Sequence, residues 1–390
     1  MISRAESLEH SAKCLNALSP DTLFGEFGIT RVADLTGLDV IGYPVYSVCR
    51  PTGYVVSVNA GKSLNPSLAR AGAIAEGIEF HTFENPPRQR RPSKHGTSLG
   101  LDPTLLPWAK GSNPKRSFCV EPVRHFLSGK EVPFPSDLVW IQSVRRSGIP
   151  QAIFQQTTNG QAVGPSFDEA FLAGIYEVVE RDAISRWTYW WEQKGRRPPI
   201  LSHQSLPDPV ARMIGRIERN NLKVVLFYYT LDIPLPVFWA MILDPYGGVA
   251  PFVGWGCALS AQAALERAIL EACQSRAVYI AGARDDVLRR NFVHQQGIDQ
   301  VELARALSKS NVPYQFGCCC EVARTLPLFE ELSLALRALG RHKEQLYFKQ
   351  VELSTPPGYF ALKTIILGLE PPQNPLWAPL PSTRARAQLL

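Results

Sequence analysis

Three glutamates lie close together on one predicted helix that is otherwise largely apolar. The helix follows a turn signal, Asn-Gly and then Gly-Pro, and either Ser166 or Asp168 can cap its first turn. With about 100° of rotation per residue, three carboxylates share one face within roughly 16 Å of helix axis: Glu169, Glu177 and Glu180. Carboxylates in apolar surroundings must pair with cations, bind a metal ion or take up protons.

Two interpretations fit these carboxylates. In the first, they form a buried salt-bridge ladder with Arg181, Arg186 or basic groups elsewhere in the chain. In the second, they form a divalent-cation site, because hard oxygen ligands suit Mg²⁺. In proteins Mg²⁺ usually shares its coordination shell with substrate phosphates, so this interpretation also predicts a phosphorylated ligand.

A second predicted helix, from about residue 66 to residue 83, repeats the same combination. It carries Glu76 and Glu79, which are three positions apart and are therefore neighbours on one face. Ala73, Ile74 and Ile78 surround them, so these carboxylates also need a cation or a metal ion. Because two helices show the same unusual placement, the metal interpretation gains more support than either helix gives alone.

Gly61-Lys62-Ser63 precedes this second helix and is similar to the end of a P-loop. A P-loop also needs a glycine five positions before Gly61, but the residue there is Val56, so the backbone cradle for phosphates is missing. What remains is Lys62 at a strand-to-helix junction, where a helix N-terminus favours an anion. Lys62 is therefore either a phosphate contact or a solvated loop lysine.

A third predicted helix begins after Ser260, a good N-cap, and extends to about residue 281. Polar residues are set among its apolar ones: Glu266, Glu271, Gln274 and Arg276. Two roles are open for Arg276, since it can neutralise the glutamates or hold a phosphate.

The composition is that of a globular protein. Of the 390 residues, 45% are hydrophobic and 19% are charged, and the net charge of +6 is mild. The basic residues are not interleaved with aromatic residues as in a nucleic-acid module, so a small polyanion or an acidic peptide fits the charge as well. No apolar segment approaches the ~18 residues of a membrane span, and the N-terminal segment has no apolar signal core. We therefore expect a cytoplasmic protein that binds neither nucleic acid nor a membrane.

The eight cysteines include no Cys-x-x-Cys pair. Cys318, Cys319 and Cys320 are adjacent, and on a strand their side chains would alternate between the two faces, which suits a tetrahedral metal site poorly. They are interpreted as small buried residues or as a reactive thiol.

Between the three helices, the sequence predicts a succession of strands and one long loop. The clearest hairpin covers residues 43–57, and further strands are predicted at 138–145, 150–156, 222–230, 236–244 and 360–370. Residues 84–136 are rich in Pro, Gly and basic residues and are predicted to be a loop, either a solvated excursion or a partner-binding surface. We expect an N-terminal helix and strands in 1–42 and one domain in 43–390, ending in a Pro-rich tail at 371–390, the whole forming one globular unit.

Four motifs in this order resemble the YcaO family. They are GKS followed by EGIEF, NGQAVG followed by EVVERD, EACQSRAVYIAGARDD, and GLE near the end. The resemblance covers nearly the whole chain, and ADLTGLD and IAGARDD look most like the YcaO proteins that occur beside TfuA-type partners. It implies an α+β ATP-binding fold, with mixed and antiparallel sheets packed with helices and no P-loop. Family members activate a peptide backbone amide by phosphorylating its oxygen.

The resemblance also implies roles for individual residues. By position, five glutamates would hold Mg²⁺ and ATP: Glu76, Glu79, Glu169, Glu177 and Glu180. Phosphate and nucleotide contacts fall on Ser57, Lys62, Arg181, Gln274 and Arg276. Catalysis would come from positioning and from charge stabilisation by Mg²⁺, Lys62, Arg181 and Arg276, with no Ser-His-Asp or Cys-His pair.

The chain departs from the family pattern at three places. Phe80 stands where an arginine commonly follows the first acidic pair, and Pro165 stands where many members have asparagine or a small residue. The first departure removes a charge from the expected site and the second removes a hydrogen-bonding group. Many azoline-forming members end in a PxPxP tail, whereas the prolines here are at 375, 379 and 381, with nine residues after them.

The resemblance predicts an ATP- and Mg²⁺-dependent enzyme of ribosomal peptide maturation. Its product would be an azoline ring or a thioamide, and the TfuA-like segments tilt the prediction slightly towards the thioamide. The expected partners are a precursor peptide, a TfuA-like or leader-peptide-binding protein and, in a homodimer, a second copy of the chain. There are two rival interpretations. One is a non-catalytic YcaO-like subunit that binds nucleotide or peptide and scaffolds a modification complex, and the other is a conventional kinase that phosphorylates a side chain.

Overall fold

The computed structural model describes residues 3–86, 91–92, 99, 101–109, 118–141, 152–244, 251–282, 314–318 and 326–369. The chain divides into two units whose segments alternate along the sequence. The first unit comprises Met1–Pro51, Val56–Gly77 and Arg197–Glu331, and the second comprises Thr52–Val55, Ile78–Arg196 and Leu332–Leu390. None of the described helices has both the length and the apolar character needed to cross a membrane.

Helices and antiparallel strands are both abundant in the described residues. The α-helices are α1 (Arg4–Asn16), α2 (Pro20–Phe27), α3 (Pro66–Glu84), α4 (Phe167–Lys194), α5 (Asp208–Glu218), α6 (Ala261–Ala281) and α7 (Leu328–Ala338). The strands are β1 (Arg31–Asp34), β2 (Val45–Cys49), β3 (Val58–Lys62), β4 (Arg91–Pro92), β5 (Cys119–His125), β6 (Glu131–Pro135), β7 (Gln161–Gly164), β8 (Lys223–Tyr228), β9 (Val237–Leu243), β10 (Phe252–Cys257), β11 (Leu346–Glu352) and β12 (Phe360–Ile366).

The first unit contains two three-stranded antiparallel sheets, with strand orders β1-β2-β3 and β10-β9-β8. The predicted hairpin is confirmed in β2 and β3, but the second strand begins only at Val58 and runs through Lys62. Helix α6 packs on β9 and β10. Gly254 and Gly256 face this helix, and a Cβ at either position would collide with its backbone, so both glycines are required by the close packing.

The second unit is built around a six-stranded antiparallel sheet. Its strand order is β4-β5-β11-β12-β7, and β6 also pairs with β5. Helix α4 packs on β12 and β7, with Phe171 against Phe348 of β11. α4 therefore has a buried face along this sheet, which holds its glutamates in fixed positions relative to the strands.

Several secondary-structure predictions are wrong. Residues 119–135, predicted to be loop, form β5 and β6, and residues 161–164, predicted to be turn, form β7. No strand forms in the described parts of 138–145 and 150–156. Strands β10 and β11 were not predicted at all.

Some predictions lie outside the described residues. These are the tail at 371–390, Cys319 and Cys320, and most of the basic residues of the predicted loop. Cys318 ends a short 3₁₀ turn, Phe316–Cys318, and is not part of a strand.

Candidate functional site

The ten predicted site residues divide equally between the two units. The first unit contains Ser57, Lys62, Glu76, Gln274 and Arg276, and the second contains Glu79, Glu169, Glu177, Glu180 and Arg181. Helix α3 passes from one unit to the other after Gly77, so it carries one member of the first acidic pair in each. Each unit therefore carries its own set of predicted site residues.

In the first unit, Glu76 is oriented by the strand that precedes its own helix. Its Oε2 accepts the backbone N–H of Ala60 at 2.6 Å. β3 can approach α3 this closely because Gly61 has no side chain, since a Cβ there would collide with the helix backbone at Ala69 and Ala73. The glycine of Gly-Lys-Ser therefore serves strand-helix packing here, which is a different role from that of a P-loop glycine. Ser57, just before β3, accepts the Arg50 N–H with its carbonyl at 2.6 Å.

Lys62 is engaged by a carboxylate that the sequence analysis had not placed in the site. Its Nζ lies 2.7 Å from Oε2 of Glu271 on α6, and both side chains are about one-quarter exposed (25% and 24%). Lys62 is thus not a solvated loop lysine. The presence of Glu271 in an otherwise apolar stretch of α6 was the signal that could have identified it.

Arg276 is held by two aspartates. Its Nε lies 3.1 Å from Asp39 Oδ1 and one Nη lies 2.8 Å from Asp244 Oδ2, while the guanidinium stacks over the ring of Phe252. The carboxylates that neutralise Arg276 are therefore not the glutamates of its own helix. A phosphate contact by Arg276, which stays a prediction, requires the guanidinium to share its donors with these aspartates.

Gln274 presents a buried acceptor two positions before Arg276 on α6. Its Oε1 is buried and has no hydrogen-bond partner among the described residues. Buried polar atoms are normally satisfied, so this oxygen fits a position where a bound ligand donates a hydrogen bond.

In the second unit, Ser166 caps the N-terminus of α4. It is one of the two residues predicted as caps. The Ser166 hydroxyl accepts the Glu169 N–H at 3.2 Å. Farther along α4, Glu169 and Glu180 are buried, while Glu177 is partly exposed. Burial of two carboxylates agrees with the expectation from the apolar sequence around them.

The cations near the α4 glutamates have distinct partners. Nε of Arg181 lies 3.7 Å from Glu177 Oε1 and 3.9 Å from Glu180 Oε1, so this guanidinium is shared between two carboxylates. Arg186, the other cation considered for a ladder, is buried and paired with Asp182 at 3.1 Å. Part of the salt-bridge ladder therefore exists, and it is centred on Arg181.

A tight turn orients Glu177. The N–H of Gly160 donates to Glu177 Oε2 at 3.2 Å, and the Gly160 carbonyl accepts the Thr364 N–H of β12 at 2.7 Å. Gly160 has a φ of +76°, and a Cβ at this position would collide with the Thr364 carbonyl oxygen and with Val178. Only glycine satisfies both the left-handed backbone and the close approach.

Lys363 on β12 is a buried cation that the sequence analysis missed. Its side chain is 2% exposed, and Nζ donates to the Thr157 carbonyl at 2.6 Å. Burial lowers the pKa of Lys363 to about 7, although the charges of Glu177 and Glu79 raise it. A single lysine within the apolar strand sequence FALKTII was the available signal.

The donor set fits Mg²⁺ that is bound together with a nucleotide. In the part of the chain that the structure describes, no three His, Cys, Asp or Glu side chains are grouped so as to hold a metal ion by themselves. Mg²⁺ rarely uses an all-protein cage, and phosphate oxygens normally complete its octahedral shell. Glutamate oxygens for the metal, and Lys62 and Arg181 for phosphates, have the required chemistry.

The family is established by comparison with known proteins. A family model described as "YcaO cyclodehydratase, ATP-ad Mg2+-binding" matches residues 60–370. The chain belongs to the YcaO family, whose cofactors are ATP and Mg²⁺. Both the predicted family and the predicted cofactors are thereby confirmed.

Two relatives by sequence cover most of the chain. An uncharacterized protein of Methanothermobacter thermautotrophicus is 29% identical over 283 residues, which is 70% of this chain and 72% of that protein. A protein in the tfuA 3' region of Rhizobium leguminosarum bv. trifolii is 30% identical over 301 residues, 68% of this chain and 66% of that protein.

Solved structures confirm the fold class. A heterocyclase in complex with substrate and cofactor is similar with a TM-score of 0.74 and 16% identity, covering 95% of this chain and 54% of its own. YcaO from Methanopyrus kandleri, bound with AMPPCP and Mg²⁺, gives a TM-score of 0.69 and 18% identity, with coverage of 93% and 91%. The chain thus spans about half of the heterocyclase and nearly all of the archaeal protein.

Proposed function

We propose that this protein uses Mg²⁺-ATP to activate a backbone amide of a peptide. The amide oxygen attacks the γ-phosphorus, and ADP leaves. A nucleophile then adds to the carbonyl carbon, and the phosphorylated oxygen departs as phosphate. Phosphorylation matters because the unmodified amide oxygen is a poor leaving group.

The nucleophile decides the product. A Cys, Ser or Thr side chain of the peptide would give an azoline ring, with net loss of water, whereas external sulfide would give a thioamide. We favour the thioamide, because the chain resembles YcaO proteins with TfuA-type partners and one relative is encoded in a tfuA region. The proposed partners are a precursor peptide and a TfuA-like or leader-peptide-binding protein.

The observation that carries the proposal is the way in which two carboxylates are oriented. Backbone N–H groups fix one oxygen of Glu76 and one oxygen of Glu177, through Ala60 and Gly160 respectively. Charged ligands held by rigid backbone donors need no reorganisation when Mg²⁺-ATP binds. We propose that Glu76, Glu79, Glu169, Glu177 and Glu180 hold Mg²⁺-ATP, with Ser57, Lys62, Arg181, Gln274 and Arg276 contacting the nucleotide. Lys62, Arg181 and Arg276 would stabilise the charge that develops at the γ-phosphate.

The test compares the wild type with Glu177→Gln, using a candidate precursor peptide, a candidate TfuA-like protein, a sulfide source, Mg²⁺ and ATP. We expect phosphate release together with a peptide in which one oxygen is replaced by sulfur. Glu177→Gln should lower phosphate release by about 10²-fold or more. Glu131→Gln is the matched control, because Glu131 is a mostly exposed glutamate of the same unit and should be silent.

The outcomes separate the rival functions. A peptide that has lost water identifies the azoline-forming reaction, and a stable phosphopeptide identifies a kinase. Absence of both phosphate release and a change in peptide mass, in the presence of partner and peptide, would favour the scaffold subunit and contradict the proposal.

A further inference from the structure

Lys363 stands out because it is a buried lysine to which the proposed chemistry assigns no role. Transferring an ammonium group out of water costs several kcal/mol unless its charge and its donors are compensated. Its partner at 2.6 Å is a neutral backbone carbonyl, that of Thr157. Because a neutral carbonyl offsets only part of this free-energy cost, other groups around Lys363 must offset the rest.

Thr157, whose carbonyl accepts the hydrogen bond from Lys363, is the first residue of the turn that orients Glu177. Thr157 Oγ1 accepts the Asn159 N–H at 3.3 Å, and the next residue, Gly160, donates its N–H to Glu177. β12 thus holds this turn at both ends, through the Lys363 side chain at Thr157 and through the Thr364 N–H at Gly160.

Packing does not hold the turn on this side. Thr157, Asn159 and Lys363 line a cavity of about 50 Å³, together with apolar residues such as Leu105 and Leu138. Asn159 Oδ1 is buried and has no hydrogen-bond partner among the described residues. Since side chains do not fill this space, the turn is held on this side by its hydrogen bonds.

We infer that Lys363 is a positioning residue that sets the metal-binding geometry of Glu177 by fixing the turn at residues 157–160. This inference rests on the proposed role of Glu177 in holding Mg²⁺-ATP. Lys363 acts through the turn and does not itself touch the nucleotide. Loss of a residue that orients a metal ligand typically lowers metal affinity about 10- to 100-fold.

Two physical effects of removing Lys363 have opposite signs, which makes the inference testable. If the lysine only places a positive charge beside Glu177 and Glu79, its removal reduces repulsion and tightens Mg²⁺ binding. If it fixes the turn, its removal lets the Gly160 N–H move and weakens Mg²⁺ binding. The direction of the change therefore separates the two roles.

The matched control is the neighbouring lysine of the same sheet. Lys349 of β11 lies directly opposite Lys363 in the strand register and also donates to a backbone carbonyl, that of Pro122 at 3.1 Å. It is more exposed, and its hydrogen bond goes to β5 and not to the turn. Lys349→Met therefore makes the same chemical change at an adjacent position.

The experiment measures two properties of Lys363→Met, Lys363→Arg and Lys349→Met. The first is the Mg²⁺ concentration for half-maximal binding of an ATP analogue. We expect a 10- to 100-fold rise in Lys363→Met, recovery in Lys363→Arg to within about 3-fold of wild type, and no change in Lys349→Met. The second is amide hydrogen exchange at residues 157–164 without nucleotide, which should accelerate only in Lys363→Met.

Tighter Mg²⁺ binding, or unchanged exchange in Lys363→Met, would overturn the inference. If Lys363→Met does not fold, Lys363→Gln keeps a shorter neutral donor and should show both effects. If wild-type protein does not bind the ATP analogue, the proposed function fails, while the exchange measurement still decides whether Lys363 fixes the turn.

Discussion

The α6 region of the first unit and the α4 region of the second unit orient a glutamate in different ways. On α6, Glu271 is paired with the side chain of Lys62 at 2.7 Å. On α4, Glu177 accepts the backbone N–H of Gly160. A side-chain partner can be exchanged without changing the fold, whereas a backbone partner is fixed by the turn that presents it. The α4 site is therefore more rigidly built and more easily destroyed by a change in the backbone.

The largest effect is expected at Gly160. Alanine there must adopt a φ of +76° and collides with the Thr364 carbonyl oxygen, so Gly160→Ala should lower the free energy of unfolding by about 3 kcal/mol. The α4 glutamates should also lose their geometry, so that ATP hydrolysis falls. Urea unfolding followed by tryptophan fluorescence measures the first effect, and phosphate release measures the second.

Gly358→Ala is the control for backbone strain. Gly358 has a φ of +80°, but a Cβ there meets nothing within 4 Å. It should cost about 1 kcal/mol, the strain of the left-handed conformation alone. Equal losses at the two glycines would contradict the role of the close approach between the turn and β12.

An intermediate effect is expected for the Lys62–Glu271 pair. Lys62→Glu should destabilise the first unit by about 1–2 kcal/mol, because two carboxylates would then face each other in a partly buried position. The double variant Lys62→Glu with Glu271→Lys should recover most of this loss. Its affinity for ATP should nevertheless stay low, because the lysine has moved to α6.

A double-mutant cycle of unfolding free energies, with ATP affinity measured in parallel, tests this prediction. Recovery of both stability and ATP affinity in the charge-swapped protein would show that Lys62 does not contact phosphate. Failure to recover stability would show that the pair depends on geometry that the exchange cannot reproduce.

The smallest effect is expected at the helix caps, where the two regions are built alike. Ser166 caps α4 and Ser260 caps α6, each by accepting a backbone N–H with its hydroxyl, at 3.2 and 3.4 Å. Ser166→Ala and Ser260→Ala should each lower the free energy of unfolding by about 1 kcal/mol. If the two losses of unfolding free energy differ by more than a factor of about two, the regions differ in their helix caps as well as in the partners of their glutamates.

The sequence predicted the helices better than the strands. α3, α4 and α6 were found with their glutamates because their length and caps are local properties. β7 and β10 were missed because glycine is depleted in strands, yet Gly164 and Gly254 occur there to admit a helix at close range. β5 and β6 contain Pro122, Pro133 and Pro135, which argued for a loop.

The sequence predicted some residues of the candidate site and missed others, because it reports local patterns better than distant contacts. The proposed ligands came from the motifs and from the contrast between charged residues and apolar surroundings. Glu271 and Lys363 were not included, because their significance depends on partners distant in the chain. Lys62 and Glu271 are 209 positions apart, and Lys363 and Thr157 are 206 positions apart.

The sequence by itself determined the family, the cofactors and the helices that carry the acidic residues, because each of these follows from local spacing or from motifs in a fixed order. Only the tertiary structure decided which cation meets which acceptor: Lys62 with Glu271, Arg276 with Asp39 and Asp244, and Lys363 with the carbonyl of Thr157. Such pairs form when separate segments pack together, and their short-range geometry has no counterpart in the periodicity of the chain.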